Sequence, residues 1–245
     1  MARDTLEILN HVGWTEERQL HVIGLSMGGM ISQELALLIP NRICSLNLVS
    51  TAARIENTTT FFANLRTRIN MFIPKSLDRS VADAGAAMFA AAWLDAPDDT
   101  HLPDLSTPGV LPPAVPSTSP NSGYGRFETN YQRYAALELT KRLNPEVFER
   151  KGFLLQVLAT GFHHKSAEQL KRLADEVGRE RILVMHGTED NMLTVHHGRV
   201  LIRELNPSTH SIGEGIGHLF MMEKTAWFHD TLEDMFARAE KLVAK

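Results

Sequence analysis

Residues 20–29 read LHVIGLSMGG, and this stretch decides the fold of the chain. The apolar run at its start predicts a short buried strand, and apolar residues at helical spacing from Met30 onward predict a helix that ends at Pro40. Ser26 then lies at the sharp turn between strand and helix. A serine in such a turn is typical of an exposed nucleophilic hydroxyl.

Two small residues flank this serine. Gly24 and Gly28 lie two positions before and two positions after Ser26, where we expect them to let strand and helix approach without a clash. The amide of Met27 begins the helix and is predicted to point to the place where an oxyanion would form. The pattern therefore predicts a nucleophile together with one oxyanion-hole donor.

A serine hydroxyl needs a base, and the base needs a group that orients it. His218 follows the glycine-rich residues 215–217, after the last predicted strand, and Asp190 follows an earlier apolar run. The order Ser26, Asp190, His218 predicts a catalytic triad. Glu189 is the neighbouring alternative to Asp190, since a shift of one residue in the loop would exchange the two acids.

Strands alternate with helices along the remainder of the chain. Apolar and β-branched runs predict further strands at 43–50, 181–187 and 208–212, and 225–243 has the periodicity of a closing amphipathic helix. This alternation predicts an α/β fold with a doubly wound, mostly parallel sheet. Its core is expected to comprise residues 1–52 and 178–245.

Residues 53–177 are too many for a simple crossover between two strands, so they predict a helical cap inserted into the core. Most of the prolines of the chain cluster among serines, threonines and aspartates, which predicts an irregular Pro-rich loop over 97–125. The helices predicted within the cap are 59–72, 81–94, 126–141 and 145–177.

Composition excludes several classes of partner. The 245 residues carry a net charge of −4, which gives no reason to expect nucleic acid or an anionic membrane as a partner. The single cysteine, Cys44, cannot form an internal disulfide, and no signal peptide or membrane span is evident, so a cytoplasmic location is expected. The paired histidines do not recur at ligand spacing, and neither a metal nor a cofactor is expected.

The quoted motifs, with the strand end at 186–190 and the glycine loop before His218, resemble those of the α/β-hydrolase fold superfamily. The resemblance is to its branch of small serine esterases, enol-lactonases and methylesterases, and it extends over nearly the whole chain. It implies a nucleophile elbow at Ser26 and a helical cap between the sixth and seventh strands of an eight-stranded sheet. Relatives with aspartate as the nucleophile are disfavoured by Ser26.

The chain departs from this family before the Ser26 strand. The strands that precede the nucleophile in the family, and the His-Gly loop that supplies a second oxyanion amide, have no counterpart here. The only His-Gly pairs are at 186–187 and 197–198. We therefore expect a partial sheet of about four strands, whose free edge would favour pairing with a second copy of the chain.

The sequence supports three hypotheses of function. The first is a metal-free serine hydrolase that cleaves a small carboxylic ester or lactone through an acyl-enzyme, with Ser26, His218 and Asp190 as the triad. The second is a truncated or degenerate hydrolase fold that binds a small ligand or a partner with little or no turnover. The third is acyl transfer or perhydrolysis on the same triad, which differs only in the acceptor.

Overall fold

The structure is a computed structural model, and it describes residues 1–56, 75–102, 104, 106–110 and 126–243. The helix predicted over 59–72 and most of the Pro-rich loop predicted over 97–125 lie outside the described residues.

One parallel sheet of four strands, in the order β1-β2-β3-β4, organises the described residues. The two inner strands are buried along their whole length, because helices cover both faces of a parallel sheet. The α/β fold class and the four predicted strands are confirmed. The strands are β1 (Leu20–Leu25), β2 (Ile43–Val49), β3 (Ile182–Gly187) and β4 (Thr209–Gly213).

Helices connect and cover these strands, and no helix in the described ranges is long and apolar enough to cross a membrane. Short 3-10 turns at Pro40–Arg42 and Arg179–Arg181 lead into β2 and β3. The helices are α1 (Ala2–His11), α2 (Met27–Leu38), α3 (Leu77–Met88), α4 (Ala91–Asp95), α5 (Asn130–Leu143), α6 (Arg150–Phe162), α7 (Ala167–Val177), α8 (Val195–Leu205), α9 (Phe220–Glu223) and α10 (Thr225–Lys241).

Alternate residues of each inner strand enter two separate hydrophobic clusters. Ile182 and Val184 of β3 face a cluster that α1, α2, α7 and α8 complete. Leu183 and Met185 face the opposite cluster, which α9 and α10 complete. This alternation follows from the twofold repeat of a strand, and it gives the sheet a layer of helices on each face.

Helix α7 differs from the prediction that placed residues up to 177 in the cap. Its residues Leu170, Leu173 and Val177 are buried in the cluster that covers β2 and β3. A capping box formed by Ser166 and Gln169 fixes the start of this helix. The helix therefore belongs to the core, and the predicted boundary at 177 is too late.

Helices α3, α4 and α5 pack around a cluster of their own. Phe89 stacks on Trp93 with ring centroids 4.6 Å apart, and Tyr134 meets Phe89 edge-on at 5.2 Å. Val81 and Leu94 complete the buried part of this cluster. These helices thus have an apolar centre distinct from the two clusters on the sheet.

The turn from β1 to α2 is closely packed at two glycines. A Cβ atom at Gly24 would lie 2.5 Å from Ser32 Oγ, and one at Gly29 would lie 2.6 Å from the side chain of Thr51. A Cβ at Gly28 would have no atom within 4 Å. The packing role predicted for Gly24 is confirmed, whereas the one predicted for Gly28 is wrong and falls to Gly29.

We expect Gly29→Ala to lower the free energy of unfolding by about 1–3 kcal/mol, because the added methyl group overlaps Thr51. The matched variant Gly28→Ala should be neutral or up to about 1 kcal/mol more stable, since alanine favours a helix and has open space there. Urea unfolding of both variants measures the difference. Equal destabilisation by the two substitutions would contradict this account of the turn.

Candidate active site

Ser26 has the backbone conformation that the turn predicts. Its φ of 53° and ψ of −120° lie in a region that costs a residue other than glycine about 1–3 kcal/mol. Three contacts hold it there, since the Ser26 amide donates to Val49 O at 3.0 Å, Thr51 Oγ1 donates to Ser26 O at 2.6 Å, and the Gly29 amide donates to the same oxygen at 3.0 Å. The serine is thus fixed at the carboxyl end of β1.

The amide of Met27 is the first in α2. Within the described part of the chain it has no hydrogen-bond acceptor. The first amides of a helix carry partial positive charge and have no partner inside the helix. The Met27 amide can therefore donate to an oxyanion that forms beside Ser26.

Asp190 and His218 lie on the loops that follow β3 and β4. His218 Nδ1 is 2.6 Å from Asp190 Oδ2, and both residues are 2% exposed. The other carboxylate oxygen of Asp190 accepts from the amides of Met192 and Leu193 at 2.9 and 2.8 Å. The acid is therefore held in place by its own loop and holds the imidazole in turn. Its neighbour Glu189 is exposed.

The pKa of Asp190 follows from this environment. Burial raises the pKa of the carboxyl group, but hydrogen bonds from His186, His218 and the Leu193 amide outweigh burial and bring the pKa below its ordinary value. Asp190 is consequently ionised at neutral pH. A carboxylate at this position keeps the proton of His218 on Nδ1.

His186 is a member of the site that the sequence analysis did not single out. It lies in β3, is fully buried, and its Nε2 is 2.6 Å from Leu193 O and 3.2 Å from Asp190 Oδ2. Because a carbonyl oxygen only accepts, we assign the proton to Nε2, which then faces both oxygens. The available signal was a histidine inside an otherwise apolar strand.

The acid loop and the histidine loop are joined by backbone contacts. Thr188 N donates to Gly213 O at 2.9 Å, and Glu189 N donates to Ile216 O at 3.0 Å. A Cβ atom at Gly187 would lie 2.1 Å from Ile216 O, so the two loops touch directly. They hold Asp190 and His218 at one end of the sheet.

Ser26 lies at the same end of the sheet as this pair. The register pairs Leu25 with Val49 and Val49 with Met185, so all the loops in question follow the carboxyl ends of parallel strands. In the described ranges no hydrogen bond links Ser26 to His218. The only hydrogen bond of the His218 ring among these residues is the one from Nδ1 to Asp190. The structure thus brings together two of the three predicted residues and places the third at the same edge.

A second buried acid, Glu223 of α9, also escaped the sequence analysis. Its Oε1 accepts from the amides of Gly217 at 3.0 Å and Ala90 at 3.3 Å. Burial raises the pKa of Glu223 to about 7, in spite of these two hydrogen bonds. Nothing in the sequence around it distinguishes this glutamate from one on a solvated helix.

A cavity of about 300 Å³ lies beside the serine turn. Met27, Met30 and Ile31 of α2 line one side, and Ala159 and Phe162 of α6 line another. Most of this lining is apolar. The described residues contain no group of three histidine, cysteine, aspartate or glutamate side chains placed to hold a metal ion.

Comparisons with known proteins show which solved structures the chain resembles in fold. The chain resembles a hydrolase from Pseudomonas aeruginosa PA01 (21% identity, TM-score 0.60, covering 96% of this chain and 69% of that one). It also resembles a serine hydrolase from Cycloclasticus zankles (16% identity, TM-score 0.63, covering 96% of this chain and 69% of that one). A third similar structure is the 2-hydroxy-6-oxo-6-phenylhexa-2,4-dienoate hydrolase of Rhodococcus sp. strain RHA1 (15% identity, TM-score 0.62, covering 96% of this chain and 69% of that one). No curated protein matches the sequence.

At these identities the neighbours establish the fold alone. The sequence itself gives the family, because the family model for the alpha/beta hydrolase fold matches residues 1–225, which include the serine turn and both loops of the acid–histidine pair. The chain therefore belongs to the α/β-hydrolase fold family.

Proposed function

We propose that this protein is a serine hydrolase that cleaves small, apolar carboxylic esters or lactones without a metal or cofactor. The observation that carries the proposal is the buried 2.6 Å contact between His218 and Asp190, at the end of the sheet where Ser26 follows β1 with a positive φ. The set that acyl transfer requires is an ionised acid, an imidazole whose Nε2 has no hydrogen bond among the described residues, and a serine at a helix start.

In the first half of the reaction, Ser26 Oγ attacks the carbonyl carbon of the ester while His218 Nε2 takes the hydroxyl proton. The carbonyl oxygen becomes an oxyanion, to which the Met27 amide donates a hydrogen bond. His218 then gives the proton to the leaving oxygen, and the bond between that oxygen and the carbonyl carbon breaks. The acyl group remains on Ser26.

In the second half, water replaces the alcohol. His218 removes a proton from the water, whose oxygen attacks the acyl carbon, and the proton passes to Ser26 Oγ as the acid leaves. Asp190 stays ionised throughout and stabilises the imidazolium that forms twice in the cycle. His186 supports Asp190, because its Nε2 proton is shared between the Leu193 carbonyl and the carboxylate.

The lining of one cavity supports an apolar substrate. Seven of the nine residues that line the cavity beside Met27 are apolar, and the other two are Glu34 and His163. A mostly apolar lining favours a hydrocarbon acyl group over a charged one. Helices α3, α4 and α5 have their own apolar cluster. We assign these helices, with α6, to a cap that covers the site and selects the acyl group.

Replacing Ser26 by alanine tests the nucleophile. We expect the purified protein to be labelled covalently by a fluorophosphonate, and the Ser26→Ala variant to lose this labelling completely, because the probe reacts with activated serine hydroxyls. Ser50→Ala is a matched control: Ser50 ends the next strand with φ 45°, and its buried hydroxyl has no partner among the described residues. Mass spectrometry measures the labelled fraction.

Labelling of Ser50→Ala should equal that of the unchanged protein. A folded, unlabelled wild-type protein would contradict the proposal and favour the alternative, a hydrolase fold that binds a ligand with little or no turnover.

Replacing Asp190 by asparagine tests the orienting acid. An amide can keep the contacts to Met192 and Leu193, but its NH₂ group faces His218 Nδ1 and favours the tautomer that protonates Nε2. We expect the rate of fluorophosphonate labelling to fall by about 10⁴-fold. A time course of labelling, with samples quenched at intervals, measures this rate.

Glu189→Gln is the control for this experiment, since it neutralises the adjacent, exposed acid. Its labelling rate should stay within a factor of two or so of the wild-type rate. The reverse ranking of the two variants would assign the orienting role to Glu189.

Filling the cavity tests the acyl site. Ala159→Trp should lower kcat/KM for p-nitrophenyl hexanoate by roughly fifteenfold relative to the acetate, if two methylenes worth about 0.8 kcal/mol each lose their burial. Leu155→Trp, at an exposed position of the same helix, should leave the ratio unchanged. An unchanged ratio in Ala159→Trp would place the acyl group elsewhere.

A further inference from the structure

Glu223 is a buried acid with no cationic partner among the described residues. It is 8% exposed, and the charged groups that act on it most are the acids Glu189 and Asp190. Its contacts are two backbone amides, those of Gly217 and Ala90. A side chain that is costly to bury and has no charge partner needs an explanation other than stability.

The two amides belong to distant parts of the chain. Gly217 immediately precedes His218 in the loop after β4, whereas Ala90 lies in the short link between α3 and α4. The carboxyl oxygen of Glu223 therefore bridges the histidine loop and the inserted helices. A second contact runs parallel to it, because His218 N donates to Met88 O at 2.7 Å.

The packing at Gly217 leaves little freedom for this loop. A Cβ atom there would lie 2.6 Å from Glu223 Oε1, 2.7 Å from Met88 O and 2.8 Å from Ala90 N. The glutamate, the end of α3 and the link to α4 thus crowd the same side of Gly217. Movement of the carboxyl group would break the hydrogen bond from the Gly217 amide.

We propose that Glu223 is a positioning residue for His218, which fixes the histidine backbone by joining the amide of Gly217 to that of Ala90. This inference rests on the proposed function for the role of His218 as base. Glu223 acts through the backbone and need not touch the substrate. It complements Asp190, because Asp190 holds the imidazole ring at Nδ1 whereas Glu223 holds the backbone.

The chemistry of the bridge specifies which substitutions preserve it. Both amides donate to a single oxygen, so glutamine supplies the same acceptor without a charge. Aspartate retains the charge, but its side chain is one methylene shorter, so its oxygen lies farther from the two amides. Alanine leaves two buried amides without an acceptor, which is costly for the loop.

The burial of Glu223 gives a second readout through its titration. Its pKa is raised from 4.5 to about 7, so the folded protein keeps a proton that the unfolded chain loses between these values. Stability due to this group is therefore lost progressively as the pH rises from about 4.5 to about 7. Glu223→Gln should remove this loss, so its Tm relative to wild type should increase over the same interval.

The test compares Glu223→Ala, Glu223→Asp and Glu223→Gln with Glu214→Ala, which removes an exposed acid from the same loop. Two quantities are measured: the rate of fluorophosphonate labelling, and the downfield proton resonance of the His218 Nδ1–Asp190 hydrogen bond. The resonance is assigned by its loss in His218→Ala. Thermal unfolding identifies any variant that is not folded.

We expect Glu223→Ala and Glu223→Asp to lower the labelling rate by about 10²-fold and to shift or broaden the resonance, as a misplacement of about 1 Å would. Glu223→Gln and Glu214→Ala should retain both. If Glu223→Ala does not fold, the aspartate variant supplies the comparison.

A wild-type rate and an unshifted resonance in folded Glu223→Asp would overturn the proposal, as would a failure of glutamine to restore them. Absence of labelling in the wild-type protein would instead refute the hydrolase function. In that event the resonance still decides whether Glu223 positions His218.

Discussion

The site depends on keeping one buried carboxylate charged. Asp190 lies under the protein surface, where an ion without partners would take up a proton. Two loop amides and two histidines prevent this by donating hydrogen bonds to its oxygens. The charge then fixes the tautomer of His218, with the proton on Nδ1 and a lone pair on Nε2.

These donors depend in turn on the core. His186 reaches Asp190 from within β3, and α8 packs so closely on it that a Cβ atom at Gly198 would lie 2.5 Å from His186 Cβ. The register of β2 with β3 fixes where the acid loop begins relative to the neighbouring strand. The hydrogen bond from the Glu189 amide to Ile216 O fixes the histidine loop relative to the acid loop. Packing within the core thus determines the electrostatics of the pair formed by Asp190 and His218.

The sequence predicted the parts of this arrangement that are local. The four strands, the turn at Ser26 and the loops of Asp190 and His218 are marked by apolar runs and glycines that act on their immediate neighbours. Gly29 was missed in favour of Gly28 because the clash with Thr51 comes from a residue after the next strand. A motif of spaced glycines does not show which of them contacts a residue that is distant in the sequence.

The residues that could not be predicted act across long separations. Glu223 resembles any acid on an amphipathic helix until Ala90, far away in the chain, is found beside it. Helix α7 has a clear apolar face, but periodicity does not say whether sheet or cap covers that face, and the sheet does. Tertiary contacts decided both cases.

The link between α3 and α4 holds the peptide of His218 through Met88 and, by way of Glu223, through Ala90. A ligand that pushed this link outward would have to drag the histidine with it or break these hydrogen bonds. The position of the histidine backbone is therefore coupled to the position of this link.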